Sequence, residues 1–132
     1  MNIDWIREFC LSLPHTTENI QWEDDLLFKI GGKMYAVVGL EPREVCMSFK
    51  CSDEDFSELI ERPGVIPAPY LARAKWVALE TQSALSRDEL KESLRRAYSL
   101  VLAKLPQKQQ ALLAATRPRK KSSRPIKKRK AR

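Results

Sequence analysis

Between residues 26 and 50 apolar side chains recur at about every second position, the period that a pleated strand places on one face. Leu26, Phe28 and Ile30 share one side of the run Leu26–Ile30, against Leu27 and Lys29. Lys33–Gly39 returns through Tyr35, Val37 and Val38. Val45–Lys50 sets Val45, Met47 and Phe49 against Cys46, Ser48 and Lys50. Gly31-Gly32 joins the first two runs, because glycine accepts the positive φ of a two-residue hairpin turn. Leu40–Glu44, with Pro42, makes the second turn. The segment predicts a three-stranded antiparallel meander with one buried face. A later strand is expected over Lys75–Glu80, where Trp76 and Ala78 oppose Val77 and Leu79.

Helical spacing brackets these strands. Ile3, Ile6, Cys10 and Leu13, with Phe9 beside them, predict an amphipathic helix that Pro14 closes. Ser52 is placed to cap a second helix, with Asp53, Glu54 and Asp55 in its first turn, Phe56, Leu59 and Ile60 facing inward, and Pro63-Gly64 as its stop. Val65–Tyr70 is apolar but broken by Pro67 and Pro69, and reads as an ordered loop. Ser86-Arg87-Asp88-Glu89 is a capping box. It opens a long helix whose apolar stripe runs through Leu90, Leu94, Ala97, Tyr98, Val101, Leu102 and Leu105. Pro106 ends or kinks that helix, and Gln107–Thr116 contains good helix formers. The expected fold class is α+β: an antiparallel sheet, the meander plus at least one later strand, packed by three to four helices.

Charge divides the chain in two. The 132 residues hold 24 basic and 17 acidic side chains, a net charge of +7. Ten of the basic residues, Arg117, Arg119, Lys120, Lys121, Arg124, Lys127, Lys128, Arg129, Lys130 and Arg132, fall in the last sixteen positions with no acid among them, so residues 1–116 carry −3. The division expected is a domain over 1–116 and a polybasic tail over 117–132, disordered alone because its composition cannot bury a core. No run approaches the ~18 apolar residues of a membrane span, and the acidic N-terminus is unlike a signal peptide, so cytoplasmic residence is the default. Monomer is the default state.

The Phe28–Ala36 hairpin with its Gly31-Gly32 turn, Lys75-Trp76-Val77 on the later strand and Arg96-Ala97-Tyr98 in the long helix together resemble the YjbR (MmcQ/YjbR-like) family. Trp22-Glu23-Asp24-Asp25 and Pro63-Gly64-Val65 fit the same pattern. The resemblance covers about residues 3–105 and implies a CyaY-like (frataxin-like) fold. It also implies DNA binding through a double wing of hairpins. By position the wings are the Gly31-Gly32 hairpin, flanked by Lys29 and Lys33, and the Glu41–Glu44 turn with Arg43. Arg73, Lys75 and Trp76 are the other matched positions. The tail lies beyond the resemblance.

Catalytic and metal chemistry find little footing. The chain has three cysteines, Cys10, Cys46 and Cys51, with no C-x-x-C pair, and one histidine, His15, too few ligands for a zinc site. Glu23-Asp24-Asp25 and Asp53-Glu54-Asp55 are adjacent acids that do not converge on one cation unaided. No P-loop, G-x-S-x-G, G-x-G-x-x-G or H-E-x-x-H motif is present. The expectation is a non-enzymatic protein without a cofactor, binding nucleic acid, DNA before RNA, non-specifically. The tail would supply phosphate contacts, the hairpin wings would orient the domain, and Trp76 beside Lys75 and Arg73 could stack a base. The alternative is a module that recognises a protein or small ligand through the Val65–Tyr70 loop and a surface of Trp22, Tyr70 and Trp76. Tyr35 and Tyr98 read as core residues with a solvated hydroxyl.

Overall fold

Strand periodicity and short turns assemble a six-stranded antiparallel sheet in the order β1-β2-β3-β4-β6-β5. The structure is a computed structural model that describes residues 3–22, 24–41, 44–69 and 71–115. Its strands are β1 (Thr17–Gln21), β2 (Asp25–Ile30), β3 (Lys33–Gly39), β4 (Met47–Lys50), β5 (Val65–Pro67) and β6 (Trp76–Leu79). The helices are α1 (Asp4–Ser12), α2 (Asp53–Leu59), α3 (Arg87–Ala103) and α4 (Gln107–Ala115). The fold is α+β, and the meander and the later strand fall where the sequence places them.

Two strands correct that reading. Thr17–Gln21 pairs with β2, Thr17 opposite Lys29 and Gln21 opposite Asp25. Only Ile20 is apolar in it, so the alternation that reveals a strand is missing. Val65–Pro67 is a strand and not a loop, with Val65 opposite Leu79 and Pro67 opposite Val77. Both lie at sheet edges, where a strand bonds on one side only and proline is tolerated.

The buried face is also not single. One face carries the main core: Phe28, Ile30, Tyr35, Val38 and Phe49 pack against Ile6 and Cys10 of α1 and Leu90, Leu94, Ala97 and Val101 of α3. The other carries a second cluster of Leu27, Val37, Ala68, Trp76 and Ala78, flanked by Met34, Val45, Ile66 and Leu71. The segment after β5 folds back over this face, so side chains expected to face outward are covered.

Caps fix the helices in place. The Ser52 hydroxyl accepts from the Asp55 amide at 3.1 Å. The Ser86 hydroxyl accepts from the Glu89 amide at 3.1 Å, and the Glu89 carboxylate accepts from the Ser86 amide at 3.0 Å. Arg62, just past α2, donates to both Glu89 oxygens at 2.9 and 3.1 Å. The Arg62 guanidinium, followed by the Ser86 amide, holds the Glu89 carboxyl down at about 2. A carboxyl depressed in the folded state stabilises the fold above its unfolded pKa and loses that contribution as pH falls through the folded value. Thermal stability should therefore decline between about pH 4.5 and 2 with a steeper slope in the wild type than in Glu89→Gln. Equal slopes in acid melting curves would show the pair to be idle.

A polar cluster seals the α1–β1 connection. The Tyr35 hydroxyl lies 3.1 Å from Thr16 Oγ1 and donates to the Cys10 carbonyl at 3.4 Å. Tyr98 meets Tyr35 edge to face and donates to the Pro14 carbonyl at 2.7 Å.

Candidate functional site

Consecutive turns of an antiparallel meander fall at opposite ends of its sheet, and the register assigns each charged residue to an end. At one end lie the start of β1, the β2–β3 turn, the end of β4 and the start of β6. Lys29, Lys33, Lys50, Arg73 and Lys75 belong to this end, and α3 delivers Lys104 to the same place. The opposite end holds the β1–β2 turn, the β3–β4 connection and the end of β6, with Asp24, Asp25, Glu41, Glu44 and Glu80. The mildly acidic body is thus charge-segregated along its strands. The start of α2 brings Asp53 and Glu54 to the cationic end, and Asp55 beside them is engaged by Arg96 at 3.1 Å.

Most other arginines are spent on neighbours. Arg7 pairs with Glu18 at 2.6 Å, Arg62 with Glu89 at 2.9 Å, and Arg95 with Glu92 at 2.6 Å. Arg96 also bonds Glu92 at 3.1 Å. Such surface pairs add little stability, but they cancel charge locally. Lys33, Arg73 and Lys104 make no ion pair among the described residues.

Lys50, Arg73, Lys75 and Lys104 line one cleft of about 400 Å³, together with Asp53. The ammonium of Lys50 donates to the Ala74 carbonyl at 2.6 Å. Burial, then the neighbouring Lys104 charge, lowers the pKa of Lys50. Lys75 takes a left-handed backbone, φ 63°, and its ammonium lies 5.0 Å from the Phe56 ring centroid. A neighbouring groove of about 390 Å³, lined by Asp55, Glu92, Arg95 and Arg96, holds arginines that are already paired.

The sequence-predicted residues are distributed unevenly. Lys29 is half-buried and Lys33 exposed, both beside the Gly31-Gly32 turn. This turn is not a free wing: the Gly31 carbonyl accepts from Gln109 at 3.1 Å, and a Cβ on Gly31 would stand 2.6 Å from a Leu105 methyl. The α3–α4 corner is seated on it. The connection between Gly39 and Met47 lies at the far end of the sheet, so the two wing candidates do not share a surface. Trp76 is 4% exposed within the second cluster and offers no ring face for stacking. Trp22, 62% exposed, sits at the β1–β2 turn at the opposite end from Trp76, so they form no common cleft. Arg43, Tyr70 and the tail cations from Arg117 to Arg132 lie outside the described residues. Lys50 and Lys104 were not among the expected residues. Their signal is the cross-strand register, Lys50 opposite Trp76, and the last turn of α3.

The cleft is poorly equipped for nucleophilic chemistry. Burial, reinforced by Asp55, pushes the Cys51 thiol up to about 12, so it stays protonated at neutral pH. Burial does the same to Cys10, also to about 12. Among the described residues no group of three or more His, Cys, Asp or Glu is placed to hold a metal ion. No described helix is long and apolar enough to cross a membrane.

Comparison with known proteins places this architecture. It is similar to the crystal structure of the Deinococcus radiodurans protein DR2400, a DUF419 domain, with TM-score 0.77 and 28% identity over 86% of this chain and 88% of that one. A Pseudomonas syringae protein shares the fold at TM-score 0.62 and 20% identity, over 76% of this chain and 99% of that one. No curated protein matches the sequence. The YjbR family model matches residues 11–100, from the end of α1 through most of α3 and including Lys29, Lys33, Lys50 and Lys75, and the chain belongs to the YjbR family.

Proposed function

We propose that the protein binds nucleic acid, duplex DNA before RNA, through sequence-independent phosphate contacts, and that it does so in the cytoplasm without catalysing a reaction. The observation that carries the reading is the gathering of Lys33, Lys50, Arg73, Lys75 and Lys104 at one end of the sheet while Arg7, Arg62, Arg95 and Arg96 are matched to acids elsewhere. Cations left uncompensated on a body of net charge −3 create a local positive field that the overall charge conceals. The tail adds ten more, and α4, which precedes it, is fastened to the Gly31 turn at this same end. Tethering would raise the tail's effective concentration near any phosphate chain held there.

The test is fluorescence anisotropy of the full-length protein on a short duplex and on RNA of matching sequence, across salt. With six to ten phosphates neutralised at once, affinity should fall by roughly 10³ to 10⁵ between about 50 and 200 mM salt. The duplex should bind the more tightly of the two. An affinity that ignores salt, or no binding at the lowest salt, overturns the reading.

A further inference from the structure

Three separate elements converge on the cleft: the end of β4, the turn leading into β6, and the end of α3. Their cations are held there by contacts that do not neutralise them. Lys50 is fixed by the Ala74 carbonyl and Lys75 by the Phe56 ring, while Arg73 and Lys104 have no acidic partner among the described residues. Among the described residues Asp53 is the one carboxylate on the wall, and these five side chains sum to +3. Lys50 is partly buried beside the Lys104 charge, and an anion seated between them would relieve that repulsion.

We infer that the cleft between β4, the Arg73 turn and the end of α3 is a discrete seat for a phosphate monoester. A monoester carries about −1.5 to −2 charge at neutral pH and three terminal oxygens, against a single charge and two such oxygens for a diester. The cations of the wall, with the Ser52 hydroxyl beside them, supply donors from several directions, which suits a tetrahedral dianion better than a planar carboxylate. A cleft of about 400 Å³ falls within the ~300–1,000 Å³ range of small-ligand sites, enough for a nucleotide-sized group. The inference deepens the nucleic-acid reading and rests on it only for the ligand's source, which is either the phosphorylated end of a strand or a free nucleotide.

The experiment uses the full-length protein and three probes: adenosine monophosphate, a linear duplex with or without 5′-phosphates, and a closed circular duplex with no ends. Adenosine monophosphate should bind saturably and shift the backbone amides of Ser52, Ala74 and Lys75 in ¹⁵N spectra. Arg73→Gln with Lys104→Gln should weaken it at least tenfold, a loss of about 1.4 kcal/mol. Lys91→Gln, on α3 against the Trp5 and Phe9 rings and outside the cleft, should leave it unchanged. A preference for phosphorylated ends that this double variant abolishes assigns the seat to strand termini. Equal affinity for both linear duplexes, with the monophosphate still bound, assigns it to free nucleotides. The inference is overturned if the monophosphate shifts no cleft amide and the linear duplexes bind alike, or if the double variant binds the monophosphate as well as wild type does. Retained binding of circular DNA in those cases leaves the non-specific reading intact. Loss of circular binding with the monophosphate retained removes that reading alone.

Discussion

Deleting residues 117–132 will weaken duplex binding by roughly a hundredfold or more at moderate salt and flatten its salt dependence. The segment holds ten cations and no acid, and without it the remaining chain is −3. Each phosphate neutralised on B-DNA adds about 0.9 to the slope of log K against log salt, so ten tail contacts would contribute at most about 9. What survives in the truncated protein should be a slope of roughly 3 to 4, the share of the sheet-end cations that reach phosphate at once. The residual slope therefore separates the two contributions that overall affinity merges. A truncated protein that binds as tightly as the full chain at every salt would remove the tail from the account.

Phe28→Ala will cause the largest loss of stability among single substitutions considered. The ring is fully buried in the core between the sheet and the helices, on a strand bonded on both sides by β1 and β3. Truncating a buried phenylalanine typically costs about 3–5 kcal/mol, from lost transfer energy and the cavity left behind. A domain of this size is stable by about 5–15 kcal/mol in total, so the variant sits near its unfolding limit. Urea titration should show a lowered midpoint with little change in slope. The contrasting site is Ile20, 59% exposed on the edge strand β1, where alanine should act within about 0.5 kcal/mol. A Phe28→Ala effect as small as that of Ile20→Ala would mean the core is not arranged as described.

The sequence made the interior of the sheet legible and its margins opaque. Alternation through β2, β3 and β4, the Gly31-Gly32 turn and the Ser86 capping box each follow from one local rule. Thr17–Gln21 and Val65–Pro67 escape those rules because an edge strand needs only one bonded neighbour, and neither buries an alternating apolar face of its own. Period two separates the faces of β6 but does not say what covers them. Whether Trp76 stacks a base or packs inward is therefore open in the sequence until the segment carrying Ala68 and Leu71 is seen to fold over it. The site behaves the same way. Lys29, Lys33, Arg73 and Lys75 came through the family resemblance, position by position, whereas Lys50 and Lys104 join them only through strand register and the length of α3. That the two hairpin turns cannot act together was implicit in their connectivity, since neighbouring turns of a meander alternate ends.

We propose that uncompensated cations at one end of the sheet contact phosphate. A pair of triple substitutions in the full-length chain decides it, with fold checked by circular dichroism. Lys33→Gln, Arg73→Gln and Lys104→Gln together should lower the salt slope of duplex binding by about 2.7, three contacts at about 0.9 each, and weaken affinity accordingly. Glu41→Gln, Glu44→Gln and Glu80→Gln, at the opposite end, change net charge by the same amount in the other direction and should leave the slope where it was. If the cationic triple binds with an unaltered slope, or if the two triples shift it equally, the sheet end is not the interface.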